Sequence, residues 1–120
     1  MSQKEDLLKR FNEAFGTGDT DFILENVTDN IVWRMAGETT IEGKDNVKEA
    51  LESMNSDLHH ELSFSNIITH GVTAAVNGTI HLTKEDGERT AFEFCDVYKF
   101  NKFKDGKIKE LTSYVVEMKD

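Results

Sequence analysis

With 120 residues, 38% of them hydrophobic and 31% charged, the chain has the length and balance of one soluble globular domain spanning 1–120. Its formal net charge of −9 excludes the basic footprint that nucleic acids and anionic membrane surfaces require. No apolar run approaches the roughly 20 residues that cross a bilayer. The single cysteine leaves no intrachain disulfide, and the opening MSQKEDLLKRF has no apolar signal core, so the expected compartment is the cytoplasm.

Taken in chain order, Ser2 to Phe15 reads as a helix, with Leu7, Leu8, Phe11, Ala14 and Phe15 on one stripe. Gly16 and Gly18 end it, and Asp19 or Thr20 caps a short second helix carrying Phe22, Ile23 and Val27. Ile31 to Met35 is a short strand. Gly43 leads into a third helix near Asp45 to Met54, with Val47, Ala50, Leu51 and Met54 on one side. The remainder reads as strand. Leu58 to Thr69 places Leu62, Phe64 and Ile68 on one face. Val72 to Thr83 places Val72, Ala74, Val76, Ile80 and Leu82 opposite Thr73, Ala75, Asn77, Thr79, His81 and Thr83. Hairpin turns fall at Glu85-Asp86-Gly87 and Lys104-Asp105-Gly106, and Ile108 to Met118 closes the sheet. Helices first and an antiparallel meander last make an α+β pattern, with helices packed on one face of a strongly bent sheet.

The stretch between the two hairpin turns carries the chemistry. In TAFEFCDVYKF, Phe92, Phe94, Asp96, Tyr98 and Phe100 share one strand face. A carboxylic acid among aromatics is costly unless it is paired, protonated or open to a wet cavity. Asp96 therefore reads as a general acid, a general base or a hydrogen-bond donor to a ligand oxygen, with a salt bridge to Arg34 as the structural alternative. Arg34 suits a ligand carboxylate or enolate, or else reaches solvent from a strand end. His81 is an acid–base candidate near neutral pH, or a half-exposed strand residue. Cys95, on the face opposite Asp96, reads as a buried inert thiol. Asp57, His59, His60 and Glu61 cluster in sequence, but adjacent strand residues point to opposite faces and no HExxH-type spacing occurs. No metal and no cofactor are expected.

Three segments, KRFNEAFGTGDTDFILENVTDNIVW, IEGKDNVKEAL and FEFCDVYKFNKFKDGKI, resemble the nuclear transport factor 2-like superfamily and its SnoaL-like and ketosteroid-isomerase-like group. The resemblance implies a conical α+β barrel: a bent, mixed or antiparallel sheet and three helices from the first half of the chain enclosing a pocket. It also implies a homodimer. Of the isomerase's three groups, the helix tyrosine falls on Phe11, the strand base on Arg34 and the late aspartate on Asp96, where DVYKFN matches the pattern D-x-aromatic-x-F-N. The tyrosine and asparagine of the epoxide-hydrolase branch fall on Val32 and Arg34. Its arginine and aspartates fall on Asn77, Thr79 and Ser113, and the acid–base aspartate of the cyclases also falls near Ser113. The strand faces and the resemblance together leave Asp96, Arg34 and His81 as catalytic candidates. Phe11, Val32, Asn77, Thr79, Phe92, Phe94, Tyr98 and Ser113 become candidates to line the pocket. The expected partner is a small apolar or amphipathic molecule, bound by an isomerase, cyclase or lyase of a carbonyl-type ligand. The alternative is a ligand-binding or dimerisation module without catalysis.

Overall fold

The computed structural model describes residues 3–54 and 59–118. Helix α1 (Gln3–Thr17) is followed by α2 (Thr20–Glu25), strand β1 (Val27–Met35), strand β2 (Thr39–Glu42) and helix α3 (Lys44–Met54). Four long strands complete the chain: β3 (His59–His70), β4 (Thr73–Thr83), β5 (Arg89–Phe100) and β6 (Ile108–Glu117). Gly18, at φ 76°, lets the chain leave α1, and the Asp19 carboxylate then accepts the Phe22 amide at 3.2 Å to start α2. Strand β2 is absent from the sequence reading. It is only four residues long and mostly exposed, and Gly37 at φ 81° turns the chain into it.

All six strands form one sheet in the order β2-β1-β6-β5-β4-β3. Pairing is antiparallel throughout except between β1 and β6, which run parallel. The sheet is curved but does not close into the expected barrel, because β2 and β3 remain as two edges. It curls around α1. Phe15 of that helix meets Trp33 of β1 edge-on at 5.6 Å, while the next residue, Gly16, abuts His60 on β3, four strands away in the sheet. The core lies on the concave side, where Leu8 and Phe11 of α1 pack with Ile31, Tyr98, Phe100 and Ile108, all but fully buried.

One strand departs from simple alternation. Between Phe64, paired with Gly78, and Asn66, paired with Asn77, strand β3 holds an extra residue, Ser65. This bulge shifts the pleat, so the inward side chain after Phe64 is Ile67, and Ile68 is 61% exposed instead of sharing the face of Leu62 and Phe64. Gly78 makes the bulge possible: a β-carbon there would collide with the Ser63 carbonyl. Gly78→Ala should therefore destabilise the protein by about 1–3 kcal/mol. The effect is expected as a lower urea midpoint with an unchanged slope; an unshifted midpoint would show that the bulge relaxes without cost.

Candidate functional site

The alternation of β5 sets the site. Phe94, Asp96, Tyr98 and Phe100 turn to the concave side and are buried, while Glu93 and Lys99 on the other face are exposed. Asp96 is 9% exposed and sits between Val76 of β4 and Ser113 of β6. No cation among the described residues pairs with it. Its polar neighbours are hydroxyls: Tyr98 donates to Oδ2 at 3.3 Å, and Ser113, its partner across the β5–β6 pairing, acts on the carboxyl as a donor. The Tyr98 bond is long for O–H···O, so the carboxyl is incompletely satisfied. Burial pushes its pKa up to about 6, and the Ser113 and Tyr98 hydrogen bonds only partly offset that rise. The Tyr98 phenol is also pushed up, first by burial and then by the charge of Asp96.

Two further side chains support these hydroxyls. Asn12 of α1 donates through Nδ2 to the Tyr98 oxygen at 2.9 Å and to the Leu8 carbonyl at 2.8 Å. Trp33 of β1 donates through Nε1 to Ser113 Oγ at 3.1 Å. Neither was singled out as a site residue from the sequence. A signal for Asn12 existed, because it sits at the i+4 position from Leu8, inside the apolar stripe of its helix. Trp33 carried no comparable signal, since its partner Ser113 lies 80 residues away.

The candidate residues divide between the two faces of the sheet. Phe11, Phe92, Phe94, Asp96, Tyr98 and Ser113 lie on the concave side, and Phe11 stands edge-on to Tyr98 at 6.0 Å. Val32, Arg34, Asn77, Thr79 and His81 belong to the convex side. Arg34 is exposed, and with Val32, Val97, Lys99, Glu110 and Thr112 it borders a convex-face cleft of about 210 Å³. Arg34 and His81 do not converge with Asp96, no Arg34–Asp96 ion pair forms, and Arg34 faces solvent. The physical reason lies in β1, where Ile31 and Trp33 take the buried positions and alternation turns Val32 and Arg34 outward. On β4, buried Val76 and Gly78 dictate the same for Asn77, Thr79 and His81. A second cleft, of about 270 Å³, lies between Glu5 and Lys9 of α1 and the β3 bulge, away from Asp96.

Cys95 is half-buried on the convex side, its thiol pKa raised by burial and then by Asp96, so the reactive thiolate is disfavoured. Asp57 and the His59 side chain lie outside the described residues. His60 does not pair with Glu61 as a ligand set. It faces α1, and its Nδ1 is buried without a hydrogen-bond partner. Among the described residues no helix is long and apolar enough to cross a membrane.

The SnoaL-like domain family matches residues 8–111. The chain belongs to that family. A SnoaL-like domain thus accounts for nearly all of the described sheet and for the helix that covers Asp96. Solved structures share the fold at low identity. An NTF2-like protein of unknown function from Cytophaga hutchinsonii superposes with a TM-score of 0.70 at 23% identity, covering 93% of this chain and 98% of that one. An LEH-like epoxide hydrolase from M. tuberculosis gives 0.77 at 22%, covering 92% and 80%. An NTF2-like protein of unknown function from Burkholderia pseudomallei gives 0.76 at 20%, covering 94% and 90%. No curated protein matches the chain significantly.

The raised pKa of Asp96 makes the stability of this SnoaL-like domain pH-dependent. Below about pH 4 the carboxyl is protonated in both folded and unfolded chains. As pH rises toward the folded value of about 6, only the folded chain keeps the proton, and the advantage of holding it is progressively lost. The carboxyl's contribution should thus fall by on the order of 3 kcal/mol between pH 4 and 7. Thermal melts of the wild type and Asp96→Asn across that range should diverge, the variant gaining relative to the wild type as pH rises. Parallel curves would mean that Asp96 is more solvated than its surroundings indicate.

Proposed function

We propose that the protein binds a small apolar or amphipathic molecule on the concave side of the sheet, and that Asp96 engages a carbonyl-type oxygen of that molecule. The observation that carries this reading is a nine-tenths-buried carboxyl with no counter-charge, held by two hydroxyls in an aromatic wall. Such a group is expensive to maintain for stability alone. Protonated, it donates to the ligand oxygen and polarises the carbonyl, the first requirement of isomerase, cyclase or lyase chemistry. Beyond Ser113 the concave face opens: Val115, paired with Phe94, is 53% exposed, which offers a route inward.

The position of Arg34 and His81 on the other face favours a second reading, a ligand-binding module without catalysis, since no second acid or base of the expected set stands beside Asp96. Steroid-type double-bond migration fits neither reading. It needs a base opposite the oxyanion donors, and the inward side chains of β1 are Ile31 and Trp33, while Phe11 has no hydroxyl to donate.

Titration with a small cyclic enone, followed by NMR of the backbone amides, tests the reading. Binding should perturb the Phe94–Tyr98 amides at pH 5 and weaken by up to roughly a hundredfold at pH 8, where about one Asp96 in a hundred keeps its proton. Asp96→Ala should abolish it. Perturbations that ignore both pH and Asp96 would overturn the proposal. Turnover of the enone or of an unconjugated 3-ketosteroid separates the catalytic reading from the binding one, and none is expected for the steroid.

The convex face suits a second copy of the chain. Tyr114 and Val116 are 44% and 65% exposed there, beside Cys95 and Val97. These apolar residues mixed with charged Glu93 and Lys99 have the character of a protein interface. Light scattering at micromolar concentration should give about twice the 13.6 kDa of one chain; a monomer would count against it. A lone, half-buried thiol suits residence in the reducing cytoplasm.

A further inference from the structure

The polar side chains around Asp96 are ordered in one direction. The amide of Asn12 has its orientation fixed by the Leu8 carbonyl, which can only accept, so the atom facing Leu8 must be the NH2 group. That same NH2 lies 2.9 Å from the Tyr98 oxygen. On the other side, the Trp33 indole nitrogen can only donate, and it lies 3.1 Å from Ser113 Oγ. Both hydroxyls therefore receive a proton from behind, and each has its own proton left for the carboxyl in front, with Tyr98 to Oδ2 at 3.3 Å. The two donor chains, Asn12 to Tyr98 and Trp33 to Ser113, end on Asp96.

We infer that Asn12 and Trp33 are positioning residues: by donating into the Tyr98 and Ser113 hydroxyls they turn the protons of those hydroxyls toward Asp96, and so leave the acid proton of Asp96 for the side away from them. A protonated Asp96 that donated to Tyr98 or Ser113 would displace that hydroxyl's own donation to the carboxyl and leave a buried hydroxyl proton to find another acceptor, which disfavours that orientation. The protonated seat then selects an oxygen that can accept, such as a ketone, aldehyde, ether or epoxide, and disfavours a ligand that offers only a donor at that point. What the outward proton meets rests on the ligand-binding role proposed for Asp96; the direction of the network does not.

The groups on every element packed against Asp96 are few. Tyr98 and Cys95 on its own strand are the titratable residues whose charge couples to it. The neighbours Val76 of β4, Ser113 of β6, Trp33 of β1 and Asn12 of α1 carry no charge. Its titration therefore reports the hydroxyl donors with little interference.

The experiment needs no ligand. The Asp96 side-chain carboxyl carbon is assigned by its loss in Asp96→Asn and followed by NMR from pH 4 to 8. Trp33→Phe keeps the ring and removes only the N–H donor; Asn12→Leu keeps the shape and removes the amide. Each frees a hydroxyl to turn away from Asp96, and each should raise the carboxyl midpoint by about half a pH unit or more. Ser113→Ala and Tyr98→Phe should raise it at least as far. Midpoints that rise in the two hydroxyl variants but stay at the wild-type value in Trp33→Phe and Asn12→Leu would overturn the positioning role. Should either of the latter fail to fold, the wild type decides. Its Tyr98 hydroxyl proton should exchange slowly and move downfield as Asp96 ionises; a Tyr98 proton indifferent to that titration refutes the assigned direction. A directed network with no enone binding would refute the ligand role alone.

Discussion

A carboxyl group without a counter-ion, held inside the concave wall by two hydroxyls, sets the terms for everything around it. Because Asp96 has no cation, its neighbours must supply donors, and they come from four separate places: Tyr98 on the same strand, Ser113 on the next, Trp33 one strand further and Asn12 from the helix above. Each supporting residue also serves the core. Tyr98 is completely buried and stacks edge-on against Phe11, and Trp33 meets Phe15 in the same way. The polar network and the aromatic packing are therefore one construction, and α1 is pinned to the sheet by both.

The two faces of the sheet take different tasks. The concave face is largely apolar, and Asp96 is the buried acid on it among the described residues. The convex face mixes small polar, apolar and charged side chains, with the Lys99–Glu110 pair at 3.5 Å crossing from β5 to β6. That pair is half-exposed on both sides and adds little to stability. Arg34 and His81 belong to this second surface, where they influence what the outer face meets.

Much of the fold was legible because period-two alternation is strong in β4 and β5. The Phe94–Asp96–Tyr98 face, the outward Cys95 and the Val76 row follow directly from spacing. The failures have local causes. Strand β2 is short and mostly exposed, so it carries almost no apolar signal. The extra residue Ser65 in β3 cannot be seen without its partner strand, and it reverses the faces of Ile67 and Ile68. For the site, transferring family positions onto β1 put Arg34 beside Asp96. The competing demand, that Ile31 and Trp33 be buried, is stronger than any functional pattern. The roles of Asn12 and Trp33 escaped for another reason: Asn12 stood out only as a polar residue inside an apolar stripe, and hydrogen bonds that span 86 and 80 positions leave no trace in local composition.

The one parallel pairing in the sheet has a bearing on how the chain reaches this shape. Strand β6 lies between β5 and β1, so the last strand made is the one that joins the first strand to the meander, and Val27 pairs with Ile108 across 81 positions. Until that strand is synthesised, β1, β2 and the helices packed on them have no edge to join, and the Trp33–Ser113 bond has no second partner. Closure of so long a loop is entropically slow. A nascent chain on the ribosome would hold a β3–β5 meander whose β5 edge stays unpaired until the ten residues of β6 follow.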